Sequence, residues 1–347
     1  MKRLSRRRIV AVSFALLIAW ACAATFALAV GSVAIPPGNL VRLLVRRVFG
    51  PPAEGDPLAT ILFSVRLPRI FLSSVVGAAL AVAGAAFQSL LRNPLADPFV
   101  LGVSSGASLG TILYSILTAS WGVAAAGFVF GRPFAAFVGA AVVVAAVYFL
   151  AGGGTKSSEG SQRLLLAGVV LASFISSINV VLLTSTSQAD LRGIFYWLIG
   201  DLSRPADVSL YLVATIVCVG FVLLYPFSRG LNLIAMGEED AMILGVEVPK
   251  VKVAAYLIAS LITGAVVSVG GPIAYIGLIC PHLVRMMFGN DNRILFPAVF
   301  LFGAIFTLLA DTAARTLMAP AELPVGVITA LIGAPLFIYL SRRRSAL

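Results

Sequence analysis

Charge is what this sequence has least of: Asp, Glu, Lys and Arg make up 11% of its 347 residues, against about 25% in a soluble domain. Histidine occurs once, as His282, and cysteine three times, as Cys22, Cys218 and Cys280. The cysteines sit in apolar stretches without CxxC spacing, which argues against a disulfide framework or a zinc site. No cluster of His, Cys, Asp and Glu suits a bare metal ion, so no metal site is expected. A phosphate loop is missing too. Its nearest candidate, Gly152-Gly153-Gly154-Thr155-Lys156-Ser157, lacks the Gly-Lys pair and its spacing and reads as a polar loop. Any ATP and Mg must therefore be handled by a partner chain, and no cofactor is expected on this one. The formal charge of +11 does not indicate nucleic acid, because the basic residues are scattered between apolar segments.

What the chain does have is apolar length. Hydrophobic residues reach 60% and the mean hydropathy is +1.04, too much for soluble domains of this size. About 20 apolar residues cross a hydrocarbon core of about 30 Å. Ten such segments run at 9–30, 70–91, 99–119, 134–151, 164–186, 208–227, 251–269, 273–288, 295–317 and 324–340. Gly270, Gly271 and Pro272 break one long run into the seventh and eighth. The first run follows Lys2, Arg3, Arg6, Arg7 and Arg8 but is too long for a signal-peptide core, so it reads as a retained helix. The expected architecture is an all-α membrane protein, one compact helical bundle over 1–347.

The positive-inside rule puts both termini in the cytoplasm, given the basic N-terminus and Arg342, Arg343 and Arg344. An even number of spans agrees with that. Arg42, Arg46, Arg47, Arg66 and Arg69 then lie outside, against the rule: either the topology is wrong or they have a task there.

Few polar features interrupt the spans. Asp311 and Arg315, four apart, can pair. His282 follows Pro281 near a span end and reads as structural. Gly102, Gly106 and Gly110 repeat every four residues, a face for close helix packing. Ser173, Ser176, Ser177, Val180 and Thr184 share one face of the fifth span. They serve packing, or form a weakly polar wall along a path for a large solute. In the loop over about 229–250, Glu238, Glu239 and Asp240 precede an apolar stretch closed by Gly245. These are helix start and stop signals, giving a short amphipathic helix suited to a cytosolic partner or simply a surface helix.

Several stretches together resemble the permease subunits of ABC importers for ferric siderophores, haem and cobalamin. They are Arg66-Leu67-Pro68-Arg69, Arg92-Asn93-Pro94-Leu95-Ala96-Asp97-Pro98 with Gln88 before it, and Leu101-Gly102-Val103-Ser104-Ser105-Gly106. Gly237 to Gly245, Gly271-Pro272, Gly277-Leu278, Pro281-His282 and Leu331-Ile332-Gly333-Ala334-Pro335 follow in the family's order. The resemblance implies a ten-helix subunit that works as a homodimer in a prokaryotic inner membrane. Two cytoplasmic ATPases and a periplasmic or lipid-anchored substrate-binding protein complete the importer. It further implies that Arg66, Arg69 and Arg315 receive acids of the binding protein. Gly237, Glu238, Glu239, Asp240, Ala241, Leu244 and Gly245 would couple to the ATPase. Asn93, Leu95, Thr155 and Ser157 would form the cytoplasmic gate, and the Ser173 to Thr184 wall would line the translocation path.

The reading that follows is a non-catalytic conduit driven by ATP on its partners, carrying an iron complex or cobalamin. An ion-coupled secondary transporter is the alternative. It would use the broken segment at Gly270 to Pro272, but no mid-membrane carboxylate supports it.

Overall fold

The computed structural model describes residues 5–31, 33, 35–49, 56–121, 131–152, 160–184, 188–203 and 208–344. Among the described residues the regular elements are helices, in the order α1 (Arg6–Ala29), α2 (Pro37–Phe49), α3 (Pro57–Thr60), α4 (Leu67–Leu90), α5 (Val103–Trp121), α6 (Gly131–Leu150), α7 (Gly160–Thr184) and α8 (Gln188–Ile199). The order continues with α9 (Val208–Leu224), α10 (Ser228–Met236), α11 (Glu238–Ile243), α12 (Val248–Gly270), α13 (Ile276–Phe288), α14 (Asn292–Thr316) and α15 (Val325–Arg344). Among the described residues seven helices are long and apolar enough to cross a membrane, and three shorter apolar ones correspond to the third, eighth and tenth expected spans. The chain is a multi-pass membrane protein.

α4 is the central post. A π-helical turn, Ile61–Arg66, joins α3 to α4, so helix continues from Pro57 to Leu90. The second span thus starts thirteen residues before the expected 70. Asp56 caps it by accepting from the Leu58 N–H, and Pro57 is pre-set for a first turn. Arg66 and Arg69 had broken the apolar window that sequence reading relies on.

Nearly every α4 residue from Arg69 onward is buried, because α12, α13 and α14 all pack on it. Alanine and glycine make that approach possible. A Cβ at Gly77 would collide with the Gly303 carbonyl on α14, so backbones touch there, as small-residue interfaces allow. The Gly106 and Gly110 stripe does the same against Gly139 and Ala135 of α6, which settles it as packing. α1, by contrast, lies at the edge with only Leu16, Ala23 and Ala27 buried.

The break after α12 is real. The Asp201 N–H donates to the Gly270 carbonyl at 3.0 Å, and Tyr275 takes a left-handed φ of +70° before α13. Gly270 lies against Val76, well inside α4. Non-helical backbone at that depth has to be enclosed by protein, and here α8 and Leu202 cover it.

Candidate functional site

Two polar clusters occupy opposite ends of α14. At its C-terminal end, α4 and α14 bring Arg69, Asp311 and Arg315 together. Arg69 Nε donates to both Asp311 oxygens at 3.0 Å, and its Nη2 lies 3.0 Å from Oδ1. On the other side, Arg315 Nε stands 3.3 Å from Asp311 Oδ2, the pair anticipated from their spacing. The remaining Arg69 nitrogen, Nη1, donates to Glu322 Oε2 at 2.6 Å. Arg66, one turn before Arg69, donates instead to backbone: Nη1 to the Leu28 carbonyl at 2.6 Å and Nη2 to the Val33 carbonyl. It ties the end of α1, whose last carbonyls have no helical partner.

All three arginines are therefore buried, and it is Glu322 that faces solvent beside them. Residue spacing could reveal Asp311 with Arg315. It could not reveal Glu322, which reaches Arg69 across 253 positions.

Exposed arginines are found on α2, where Arg42, Arg46 and Arg47 line one side, and Arg47 stacks over the Phe63 ring at 5.4 Å.

At the opposite end of α14, the 229–250 loop forms two short helices rather than one, α10 and α11, hinged at Gly237. Three acids open α11, favoured by its dipole. Gly245 closes it at φ +84°, with the Val246 N–H on the Ala241 carbonyl and the Gly245 N–H on Met242. That is a Schellman end, which needs a residue tolerant of left-handed geometry. Glu238 turns inward and accepts from Lys252 Nζ of α12 at 2.9 Å, a pair almost wholly buried. Ala241 packs with Ile234 and Val248 beneath. Glu239, Asp240, Leu244 and Gly245 are exposed, and so are Met236, Met242 and Ile243, the last 83% open. Sequence reading did not single out Lys252, Met236, Met242 or Ile243. The signal available for the first was a second lysine, two residues after Lys250, running into the apolar part of α12.

Asn232 anchors this loop to α14. Its Nδ2 donates to Asp291 and its Oδ1 accepts from the Asn292 N–H, both at 2.8 Å. Burial pushes the Asp291 carboxyl up, but hydrogen bonds from Arg293 and Asn232 outweigh it and hold the group below its usual range.

Between α4 and α5, Asn93 Oδ1 accepts from the Leu95 N–H at 2.9 Å, and Leu95 is exposed. Two residues on, Asp97 is buried. Its Oδ1 accepts from the Phe99 N–H at 2.9 Å, while Oδ2 has no hydrogen-bond partner among the described residues. Gln88 lies alongside, donating to the Gly277 carbonyl at 3.0 Å and accepting from Arg285. Thr155 and Ser157 lie outside the described residues.

On α7, Ser173, Ser176, Ser177 and Thr184 are exposed along one face. Three of these hydroxyls donate to their own helix: Ser173 to Val169, Ser177 to Ser173 and Thr184 to Val181. Among the described residues no group of three metal-binding side chains occurs.

A family model described as the FecCD transport family matches residues 16–343. The chain belongs to that family. Its FecCD relatives include the cobalamin import system permease BtuC of Halobacterium salinarum, 40% identical over 85% of this chain and 76% of that protein. The hemin transport system permease HmuU of Yersinia pestis is 38% identical over 84% of this chain and 86% of its own length. A metal-chelate type ABC transporter solved in an inward-facing conformation superposes with a TM-score of 0.82 at 28% identity, covering 96% of this chain and 99% of that one. The FecCD permease described here is thus a transport component of the ABC class in a prokaryotic inner membrane.

Proposed function

We propose that this permease forms, as a homodimer, the membrane path of an ATP-driven importer for a bulky metal chelate: a ferric siderophore, haem or cobalamin. The whole chain acts as one permease domain, with both termini cytoplasmic. ATP and Mg reside on two partner ATPases, and no residue of this chain is catalytic.

The carrying observation is the α10–α11 loop. An apolar rim of Met236, Met242, Ile243 and Leu244 stands out of a framework fixed by the buried Lys252–Glu238 pair. Exposed apolar patches of this kind mark partner surfaces, and their rigid mounting lets force pass into α12 and α14. At the other end, the arginine cluster suits acids of a substrate-binding protein. Asn93 and Leu95, with Thr155 and Ser157, are proposed as the cytoplasmic gate. The exposed α7 face from Ser173 to Thr184 is proposed to line the dimer axis. Its hydroxyls, three of them already bonded to the helix, offer the cargo a smooth and weakly polar wall.

The test is ATPase activity of the assembled transporter in liposomes, using the ATPase and binding protein encoded beside it. Ferric siderophores, haem, cobalamin and molybdate are offered in turn. Stimulation by one chelate-loaded binding protein supports the reading, whereas stimulation by molybdate alone overturns the chelate assignment.

A further inference from the structure

We propose that Glu322 is an internal stand-in for the binding protein's carboxylate: it occupies Arg69 in the free permease and is displaced when the partner docks. This rests on the docking role proposed above for the arginine cluster.

The geometry separates the two acids that Arg69 holds. Asp311 is fully enclosed, and Arg69 grips it from one side while Arg315 lies on the other. It belongs to the framework. Glu322 is held through Nη1 alone, at 2.6 Å, and its side chain is 41% exposed. It sits in the non-helical segment after α14, among exposed residues from Leu317 to Glu322. Among the described residues it has no second hydrogen bond or ion pair.

Charge counting gives the reason for such an arrangement. Arg66, Arg69 and Arg315 face Asp311 and Glu322 here, three positive groups to two negative. A buried guanidinium with an empty donor is costly. Glu322 satisfies that donor while the permease is alone. Docking then exchanges one carboxylate for another, so Arg69 keeps a charged partner at either stage. The exchange makes docking reversible, because the leaving partner is replaced by the tethered acid. It also sets a threshold, since a partner must present an acid at this position to compete.

The test uses the permease–ATPase complex in nanodiscs and biolayer interferometry with the co-encoded binding protein. Glu322→Gln is expected to tighten docking about three- to ten-fold, the loss of one charge-assisted competitor. Arg69→Lys keeps the charge beside Asp311 but loses the fork that holds a second carboxylate. It should weaken docking and abolish the gain from Glu322→Gln. If Arg69→Lys weakens docking while Glu322→Gln leaves it unchanged or weaker, the stand-in role is overturned and docking at Arg69 stands. If Arg69→Lys docks as the wild type does, the docking role itself falls, and the stand-in with it. The Glu322 side chain is 41% exposed, so its variant is expected to fold and to assemble with the ATPase.

Discussion

Asp97 is the residue whose surroundings fit its chemistry least well. It lies between spans, buried, with one oxygen bonded and the other without a hydrogen-bond partner among the described residues. Desolvation pushes its carboxyl from 3.8 up to about 6, against a downward pull from the Phe99 N–H. The folded chain therefore holds this proton more tightly than the unfolded chain does. Below pH about 4 both states are protonated and burial costs little. As pH rises from about 4 to 6 the unfolded state ionises first, and stability falls by about 3 kcal/mol for a two-unit shift. Asp97→Asn preserves the acceptor for Phe99 and removes the charge. It should raise the thermal midpoint at pH 7.5 in detergent and leave it nearly unchanged at pH 4. A variant less stable at pH 7.5 would mean that the ionised carboxylate is needed where it stands.

At the scale of elements, the same logic of burial governs the coupling loop. Lys252 and Glu238 hold α11 to α12, and removing Glu238 takes away the carboxylate that balances the buried Lys252 charge. Glu238→Gln is expected to cost about 3–5 kcal/mol locally, read as faster proteolysis within 229–250 and weaker retention of the ATPase. Replacing both, with Glu238→Leu and Lys252→Met, should restore much of the loss; no recovery would show that the charges themselves serve coupling. Helix crossings are as demanding. Gly77→Val puts a branched side chain where the Gly303 carbonyl already sits. A cost of at least 1–3 kcal/mol is expected, visible as a lower unfolding midpoint, and wild-type stability would place the two backbones further apart.

Much of this was legible beforehand. The number of apolar spans, the break at Gly270 to Pro272, the packing role of Gly106 and Gly110, and the pairing of Asp311 with Arg315 all follow local rules of length and period. The acids and glycine that bound α11 follow such rules as well. What was hidden depends on contacts between remote residues. Arg69 meets Asp311 across 242 positions, so its burial could not be read from an Arg-Leu-Pro-Arg motif that looks solvent-facing. Glu238 reads from the sequence as one of three acids that open α11, yet Lys252 on the next helix turns it inward. α8 lacked the length of a span, and only its packing around the α12 break gives it a place.

On the scale of the whole molecule, α14 joins the two partner faces. Its 25 residues span about 37 Å. Asn292 at one end is tied to α10 through Asn232, and Asp311 and Arg315 near the other belong to the arginine cluster. A rigid element touching both faces can carry a change at one to the other, provided that the helix moves as a body. The central claim is that ATP bound by a partner drives this permease through the α10–α11 rim. Uptake of the cargo identified by the ATPase assay, into liposomes holding the full transporter, tests it most directly, with an uncoupler present and ATP supplied throughout. The account predicts uptake insensitive to the uncoupler and reduced at least ten-fold by Met242→Glu with Ile243→Glu, in complexes whose permease remains folded. Uptake that proceeds in the permease alone and collapses with the uncoupler would contradict it, and would make the chain an ion-coupled transporter.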